Sequence, residues 1–354
     1  MEHRMPVFDG DGHVLEVDSE LEKYFEGDWK GAKRMGGMTI FPSLDGWARS
    51  VQMHEQDRNR RYWYTNADVW GDMLDRIGLE GSVLYPTIGL AFGLMRDIGF
   101  SIAAATAYNN WIEGEYTAKD DRLYGVGLMQ MEVPDAAIAE MRRCRNERKN
   151  IVAMLLPSVT ALKKSYGHAS YWPIYAEAEK LGMPLAVHGA PSQNLGLDHL
   201  EPFVKVHTLE HPIPLMVHLT DMMFSGVFDD FPNLKVAYLE SGAGWVPFMM
   251  DRLDIEWESI QGAAIRKKVK HKPSYYFTET DNIWVSCEMG ERSLKYVVDM
   301  MGPDRILYAS DFPHEPTEED LTGDVPEFLE RAEFDDDVKS KILYHNAKRL
   351  YGIA

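Results

Sequence analysis

The chain has few cysteines, no long apolar run and a shortage of basic residues. Only Cys144 and Cys287 occur in 354 residues, far apart and without metal-type spacing. This argues against a disulfide framework or a zinc ribbon and favours a reducing compartment. No run of about 18 apolar residues occurs, and Met1 to Val7 lack the apolar segment of a secretory signal. We therefore expect a soluble, cytoplasmic protein that does not associate with a membrane.

Basic residues are outnumbered by acidic ones, 37 Lys and Arg against 56 Asp and Glu, for a formal charge of −19. Such a charge opposes binding to nucleic acid or to an anionic membrane surface. Apolar residues make up 45% of the chain and aromatic residues 11%, which is enough to bury a sizeable core. We expect a single globular domain over residues 1–354 whose partner is a small-molecule substrate.

Eight short apolar runs alternate with helix-like stretches along the chain. Continuous apolar character is typical of parallel strands covered on both faces, and a count of eight predicts a (β/α)8 TIM barrel. Residues 15–66 form an irregular insertion after the first strand, a candidate lid or oligomer contact. The predicted strands are Pro6–Asp11, Ser82–Tyr85, Leu123–Leu128, Ile151–Leu156, Pro184–His188, Lys235–Leu239, Ile283–Cys287 and Ile306–Ala309, and two clear helices are Pro134–Arg145 and Tyr171–Leu181.

Ionisable residues end four of the predicted strands, and the carboxyl ends of barrel strands converge on one face. Strand alternation places Asp11 and His13 on the same side of the first strand. His188 from the fifth strand and Asp311 after the eighth complete a set of nitrogen and oxygen ligands. Such a set suits a divalent ion, with zinc as the first choice and manganese or iron as alternatives.

Each of these residues also has an ordinary structural interpretation. The Asp9–His13 segment could be a turn with a helix cap, His188 a core histidine, and Asp311 a cap before Pro313. Glu240, after the sixth strand, is either an ion-pair partner of Arg252, a general base or a further metal ligand. The coincidence of these residues at strand ends favours the functional interpretation.

Three further histidines are weaker candidates. His218 lies in a stretch predicted to be helical, where a core or supporting position is the favoured interpretation. His211 and His314 are the other two. We keep His314 and His218 as candidates for stabilising developing charge or protonating a leaving group.

The motifs together resemble the amidohydrolase-related branch of the amidohydrolase superfamily, which includes aminocarboxymuconate semialdehyde decarboxylase and related metal-dependent enzymes. The resemblance covers nearly the whole chain. It depends on Asp9-Gly-Asp-Gly-His13-Val-Leu-Glu16, Leu123-Tyr-Gly-Val-Gly-Leu128, Ala136-Ala-Ile-Ala-Glu140, Tyr171-Trp-Pro-Ile-Tyr175, Gly182-Met-Pro-Leu-Ala-Val-His188, Phe231-Pro-Asn-Leu-Lys-Val236, Glu240-Ser-Gly-Ala-Gly-Trp245, Ser310-Asp-Phe-Pro-His314 and Asn346-Ala-Lys-Arg-Leu-Tyr-Gly352.

The resemblance implies a distorted barrel with metal held by Asp11, His13, His188 and Asp311. Two positions depart from the family pattern. Asp11 stands where the family commonly has the first histidine of His-x-His, and Glu240 stands where its decarboxylases have a catalytic histidine. An ionised Glu240 would repel a carboxylate substrate, which shifts the expectation toward hydrolysis, and its charge leaves room for a second metal ion.

The leading hypothesis is a metal-dependent hydrolase that activates water for attack on an ester, thioester, amide or lactone-type carbonyl. Glu240 or Asp311 would take the proton of the water. The alternative is a metal-dependent non-oxidative decarboxylase of an aromatic or enoic acid, and a third hypothesis is a non-catalytic metal-binding barrel. We also expect a homodimer, the commonest symmetric assembly of soluble enzymes.

Overall fold

Eight parallel strands, each hydrogen-bonded to the next in chain order, surround the centre of the molecule. Two backbone bonds join the eighth strand's end to the first strand: Asp311 donates to the carbonyl of Asp11 (3.0 Å) and His13 to that of Phe312 (2.8 Å). The architecture is a nearly closed (β/α)8 barrel, as predicted. The computed structural model describes residues 4–31, 39–43, 64–148, 150–158, 164–190, 195–197, 199–314 and 318–354.

The strands are short and buried, because helices cover the outside of the barrel and side chains fill its interior. Seven of them lie within about two residues of the predicted bounds. Their bounds are β1 Asp9–His13, β2 Ser82–Tyr85, β3 Leu123–Gly127, β4 Ile151–Pro157, β5 Leu185–His188, β6 Val236–Leu239, β7 Ile283–Cys287 and β8 Ile306–Tyr308.

The first strand lies further along the chain than the predicted Pro6–Asp11. Asp9 to His13 has neither apolar character nor strong strand propensity, yet all five residues are buried in β1. Long-range backbone pairing holds the segment: Asp9 donates to the carbonyl of Gly81 (2.9 Å), and His13 donates to that of Phe312 (2.8 Å). Tertiary pairing therefore overrides local preference here.

Helices of very different lengths connect the strands. Both predicted helices are present, as α4 and α5, with slightly shifted ends. The α-helices of the described ranges are α1 Asp18–Leu21, α2 Ala67–Ile77, α3 Ile98–Ile112, α4 Pro134–Glu147, α5 Trp172–Leu181, α6 Phe203–Glu210, α7 Pro212–Ser225, α8 Val227–Asp230, α9 Trp245–Glu258, α10 Pro273–Thr278, α11 Leu294–Met301, α12 Glu318–Glu330, α13 Asp336–Ser340 and α14 Asn346–Tyr351.

Shorter helical turns complete the connections. Six are 3-10 turns, at Glu22–Tyr24, Gly27–Trp29, Ile88–Leu94, Ala169–Tyr171, Gln261–Ala263 and Ile265–Lys267, and two are π-helical, at Glu113–Thr117 and Lys341–His345. Within the part of the chain that the structure describes, no helix is both long and apolar enough to cross a membrane.

The predicted insertion over residues 15–66 is only partly described. It begins with α1 and the two 3-10 turns that follow it. Residues 32–38 and 44–63 lie outside the described residues, so its role as a lid or oligomer contact stays a prediction.

Helix α2 buttresses the first strand from outside the barrel. Trp70 donates from its indole nitrogen to the carbonyl of His13 (3.0 Å) and packs edge-on against Phe312 with ring centroids 4.9 Å apart. A Cβ atom at Gly12 would lie 2.4 Å from the Trp70 ring, so only glycine fits there. This packing holds the backbone that carries the neighbouring His13.

Candidate metal centre at the strand ends

The ends of β1 and β5 bring three buried ligand-type side chains together. Nε2 of His188 lies 3.2 Å from Oδ1 of Asp11, and Nε2 of His13 lies 3.8 Å from the same oxygen. All three residues are at most 1% exposed. The alternation of β1 places Asp11 and His13 on one side, as predicted from the sequence.

Backbone carbonyls determine which ring nitrogens point into this cluster. Nδ1 of His13 lies 3.0 Å from the carbonyl of Pro86, and Nδ1 of His188 lies 2.8 Å from that of Gly189. A carbonyl can only accept, so both Nδ1 atoms carry hydrogen, and the Nε2 atoms, which remain to bind a metal ion, both face Asp11. Nε2 of His13 is buried and has no hydrogen-bond partner among the described residues. Two ring nitrogens and a carboxylate that face one another form a donor set suited to a cation.

Two further carboxylates lie just beyond strand ends. Glu240 directly follows β6, and Asp311 lies three residues after the end of β8. Glu240 and Asp311 are the non-glycine residues with positive φ, 56° and 50°, in the described ranges. Such a conformation costs about 1–3 kcal/mol and is typical of functional sites. Oδ1 of Asp311 lies 3.6 Å from Nε2 of His13. The donors form two overlapping groups that share His13: one is Asp11, His13 and His188, and the other is His13, Glu240, Asp311 and His314.

Glu240 lies among imidazoles. Its carboxylate oxygens are 3.1 Å from Nδ1 of His188, 3.5 Å from Nε2 of His211 and 3.8 Å from Nδ1 of His314. Burial alone would raise the pKa of Glu240, but the adjacent His211 and His188 outweigh burial and hold its pKa well below the ordinary range. The carboxylate is therefore charged, and its charge is balanced locally.

The alternative pairing of Glu240 with Arg252 is not found. The guanidinium of Arg252 lies 2.6 Å from Glu256, one turn further along α9. The backbone nitrogen of Glu240 donates to the hydroxyl of Ser286 at the end of β7 (2.9 Å), which fixes the residue to the neighbouring strand.

His314 is held between oxygen atoms on both of its nitrogens. Nδ1 lies 2.8 Å from Oδ1 of Asp311, and Nε2 lies 2.8 Å from Oγ1 of Thr87. The hydroxyl of Thr87 already donates its hydrogen to the carbonyl of Val14 (2.6 Å), so it accepts from His314. Both ring nitrogens therefore carry hydrogen when Asp311 is ionised. Burial lowers the pKa of His314, but Asp311 outweighs burial and raises it well above the ordinary value.

Burial and neighbouring charges shift the pKa of every residue in the inner cluster. Burial raises the pKa of Asp11 to about 7, although His188 opposes that shift. Burial would lower the pKa of His188, but Asp11 and Glu240 raise it to about 9. Burial and the neighbouring His314 and His188 hold the pKa of His13 well below its ordinary value, which leaves it neutral and suited to be a ligand. Burial likewise raises the pKa of Asp311.

Asp9 ties the first and last strands together behind the cluster. Its carboxylate accepts from the hydroxyls of Ser82 (2.6 Å) and Ser310 (2.7 Å) and from the backbone nitrogens of Ser310 (2.9 Å) and Asp11 (3.1 Å). The side chain is fully buried. Asp9 thus orients Asp11 and Ser310, the neighbour of Asp311, although the sequence interpretation assigned it no role.

Glu16 and Thr87 are two more residues that sequence reasoning missed. Glu16 accepts from the backbone nitrogens of Thr87 (3.1 Å), Ile88 (3.0 Å) and Gly89 (2.8 Å) and so shapes the loop after β2. That loop carries Thr87 to His314. Glu16 ends the first motif, Asp9 to Glu16, so its role could have been predicted from the sequence. No sequence pattern around Thr87 indicates a role for that residue.

His218 is not brought to this cluster. It lies in α7, in a helix as predicted, and its Nε2 is 3.0 Å from the carbonyl of Ser158. Its ring packs on Tyr166 with centroids 4.5 Å apart, and burial lowers its pKa. The candidate sites Glu240, Asp311 and His314, by contrast, all meet at the strand ends.

Acidic and imidazole donors at the carboxyl end of a (β/α)8 barrel define an enzyme class that works with a divalent metal ion. A family model described as Amidohydrolase matches residues 86–353. The chain belongs to this family and is an enzyme of the amidohydrolase superfamily, as the sequence motifs indicated.

Relatives over most of the chain are decarboxylases. The chain is 27% identical over 338 residues, covering 94% of itself and 87% of the relative, to 2-amino-3-carboxymuconate-6-semialdehyde decarboxylase of Dictyostelium discoideum. It is 28% identical over 291 residues, covering 79% of itself and 85% of the relative, to gamma-resorcylate decarboxylase of Rhizobium sp..

A solved structure shows the same fold. A dihydroxybenzoic acid decarboxylase of Polaromonas sp., with bound manganese and the inhibitor 2-nitroresorcinol, superimposes with a TM-score of 0.72 at 20% identity. The match covers 100% of this chain and 98% of that one. The donor set of this chain suits a divalent metal ion, and the first choice of zinc is not confirmed.

These relatives overturn the expectation of a hydrolase, because the reaction that they share is decarboxylation. The expectation depended on Glu240 repelling a carboxylate substrate. That argument left out the imidazoles of His188, His211 and His314, which surround Glu240 and offset its charge. His211 and His314 are brought to Glu240 only by the fold.

Proposed function

We propose that this enzyme is a metal-dependent, non-oxidative decarboxylase of an aromatic or enoic carboxylic acid. The observation that carries the proposal is the agreement of the two decarboxylase relatives along most of the chain. The strand-end cluster supports it, because it combines a cation site with a hydrogen-bonded acid pair, Asp311 and His314.

In the proposed reaction the bond between the substrate carbon and its carboxylate breaks and carbon dioxide leaves. A proton first adds to that carbon at the expense of its π electrons, and the electron pair of the breaking bond then restores the aromatic ring or the double bond. No oxygen atom of water enters the product. An aromatic ring or a conjugated double bond is needed because its π electrons accept the proton and spread the resulting positive charge until carbon dioxide leaves.

Asp11, His13, His188 and Asp311 would hold the metal ion. When bound, the ion supplies positive charge that orients an anionic substrate and stabilises the charge that develops on it. Manganese and zinc both accept this mixture of imidazole and carboxylate donors. The Nδ1 bonds of His13 and His188 to backbone carbonyls keep the two rings aimed at the ion.

His314 and Asp311 supply the proton in this proposal. Nδ1–H of His314 donates to Oδ1 of Asp311, and the two atoms are 2.8 Å apart, so the proton can be shared within this pair. Thr87 accepts the other ring hydrogen and fixes the imidazole plane. Glu240 lies 3.8 Å from Nδ1 of His314 and favours the charged form of that ring. The pair of His314 and Asp311 therefore keeps its proton until the substrate is bound.

The reaction type is tested with gamma-resorcylate and aminocarboxymuconate semialdehyde in deuterium oxide. We expect one carbon dioxide for each product molecule, with deuterium on the carbon that carried the carboxylate. The His188→Ala enzyme should be inactive, whereas His199→Ala should keep full activity because His199 is exposed and lies outside the cluster.

A reaction in water labelled with oxygen-18 tests the alternative of hydrolysis. Solvent oxygen in an acid product, without release of carbon dioxide, would show water attack at a carbonyl and refute the decarboxylase. Equal activity of wild type and His188→Ala would instead refute the participation of the metal cluster in the reaction.

A further inference from the structure

A second group of metal-type side chains lies on α6 and the residue that caps it. His207, Glu210 and His211 are spaced so that they share one face of the helix. One ligand atom from each lies within 4.8 Å of the other two. Glu210 is fully buried and His211 is only 8% exposed, so these groups are largely withdrawn from water.

Gly189, which directly follows β5, allows this group to approach the strand ends closely. A Cβ atom at Gly189 would lie 2.4 Å from Cδ2 of His211 and 3.0 Å from its Cβ. Only glycine therefore permits His211 to pack against the residue that follows His188. The close approach presses the end of α6 against the chain just beyond a ligand of the first centre.

Glu240 lies between the two groups. Its Oε1 is 3.5 Å from Nε2 of His211, and its Oε2 is 3.1 Å from Nδ1 of His188. Oε1 is thus available as a fourth donor beside the helix group. Oε2 faces His188 of the barrel, and Oε1 also lies 3.8 Å from Nδ1 of His314.

We propose that His207, Glu210 and His211 bind a second divalent cation of the zinc type, with Glu240 beside it. Two imidazoles and one carboxylate are a common zinc ligand set, and two histidines four residues apart on a helix are a spacing that zinc sites use. Imidazole donors favour zinc or cobalt over calcium or magnesium. The proposal is independent of the reaction that the enzyme catalyses.

The competing interpretation is that these side chains only pack against one another. The rings of His207 and His211 meet edge to face with centroids 4.5 Å apart, and Nδ1 of His211 is 3.4 Å from the carbonyl of His207. Packing and metal binding make different predictions for the number of ions bound, and this number can be measured without any substrate.

The experiment is equilibrium dialysis of the full chain against zinc, followed by elemental analysis. We expect about two ions per chain in wild type and about one in both His207→Ala and His188→Ala. The matched control is His199→Ala, which removes an exposed histidine from the same inter-strand segment and should keep about two ions. Glu210→Gln, which preserves side-chain size, should also bind about one.

Cobalt provides a second readout. Its visible absorption should rise over two equivalents in wild type and stop after about one in His207→Ala. Circular dichroism checks that each variant is folded. Equal ion counts in wild type, His207→Ala and Glu210→Gln would overturn the proposal, and the packing interpretation would then hold. Neither result depends on whether the enzyme proves to be a decarboxylase.

Discussion

Thr87 is the residue that sets the orientation of His314, although it is neither charged nor a metal-type ligand. Its hydroxyl accepts from Nε2 of His314 (2.8 Å) and donates to the carbonyl of Val14 (2.6 Å). Thr87→Val keeps the shape of the side chain and removes both bonds. We expect kcat to fall about tenfold with little change in KM, because the ring stays but loses its fixed plane.

The matched control for this change is Thr278→Val. The hydroxyl of Thr278 donates only to the carbonyl of Ser274, within α10 and away from the strand ends. Steady-state kinetics of both variants decide the question. If Thr87→Val and Thr278→Val had the same kcat as wild type, the orientation of His314 would not matter to turnover.

Individual site residues were predictable to very different degrees. Asp11, His13 and His188 stand at the ends of apolar runs, so strand periodicity alone indicated them. The role of Glu240 was misjudged, since its imidazole neighbours come from loops distant in the chain. Charge balance in a buried site depends on such neighbours and not on the residue itself.

The carboxylate of Glu140 connects helix α4 to the neighbouring helix α3. Glu140 accepts from Asn109 of α3 (2.7 Å) and from Thr106 (3.2 Å) and pairs with Arg143 (2.5 Å). Asn109 in turn bonds both backbone groups of Leu128 beyond β3. We expect Glu140→Gln to lower the free energy of unfolding by about 1–2 kcal/mol.

The effect of Glu140→Gln should depend on pH. Burial opposes ionisation, but Arg143 and Asn109 outweigh it and lower the pKa of Glu140 below its ordinary 4.5. The stabilisation is then complete above the unfolded pKa and is lost as pH falls through the lower, folded pKa. Urea unfolding should show the difference at neutral pH and a smaller one below about pH 4.

A matched control lies on the same helix. Glu147→Gln removes an exposed carboxylate and should change stability by no more than about 0.5 kcal/mol. A destabilisation of Glu140→Gln that persists unchanged in acid would show that shape, not charge, is what the helix needs.

The apolar pattern of the sequence predicts the bounds of most strands but not those of the first. The interior strands β2 to β8 are apolar runs, so their bounds were predictable to about two residues. β1 was misplaced because Asp9-Gly-Asp-Gly-His13 reads as a turn in isolation. Backbone bonds to Gly81 and Phe312, together with burial of all five side chains, make it a strand.

At the scale of the molecule, the proposed metal ion joins parts of the chain that are far apart in sequence. Its ligands come from β1, from β5 and from the segment that follows β8. Removal of the ion leaves buried carboxylates without compensation. We expect a chelator to lower Tm by about 5–10 °C and added manganese or zinc to restore it.

Differential scanning calorimetry measures this effect, with His188→Ala as the comparison. The Tm of that variant should change much less on chelation, because it lacks His188, one of the proposed ligands at the strand ends. An unchanged Tm in wild type, once elemental analysis confirms that the metal has been removed, would contradict a structural contribution of the ion. The homodimer stays a prediction, and light scattering after gel filtration measures it.

The sequence by itself determined the alternation of strands and helices, the barrel and the convergence of ionisable residues at strand ends. These features are periodic and local, and the geometry of parallel strands carries them to one face. Tertiary structure alone decided which groups surround Glu240, how Thr87 holds His314 and where β1 lies. Those contacts join distant segments, and electrostatic and hydrogen-bond energies in a buried site depend on distances that no local pattern encodes.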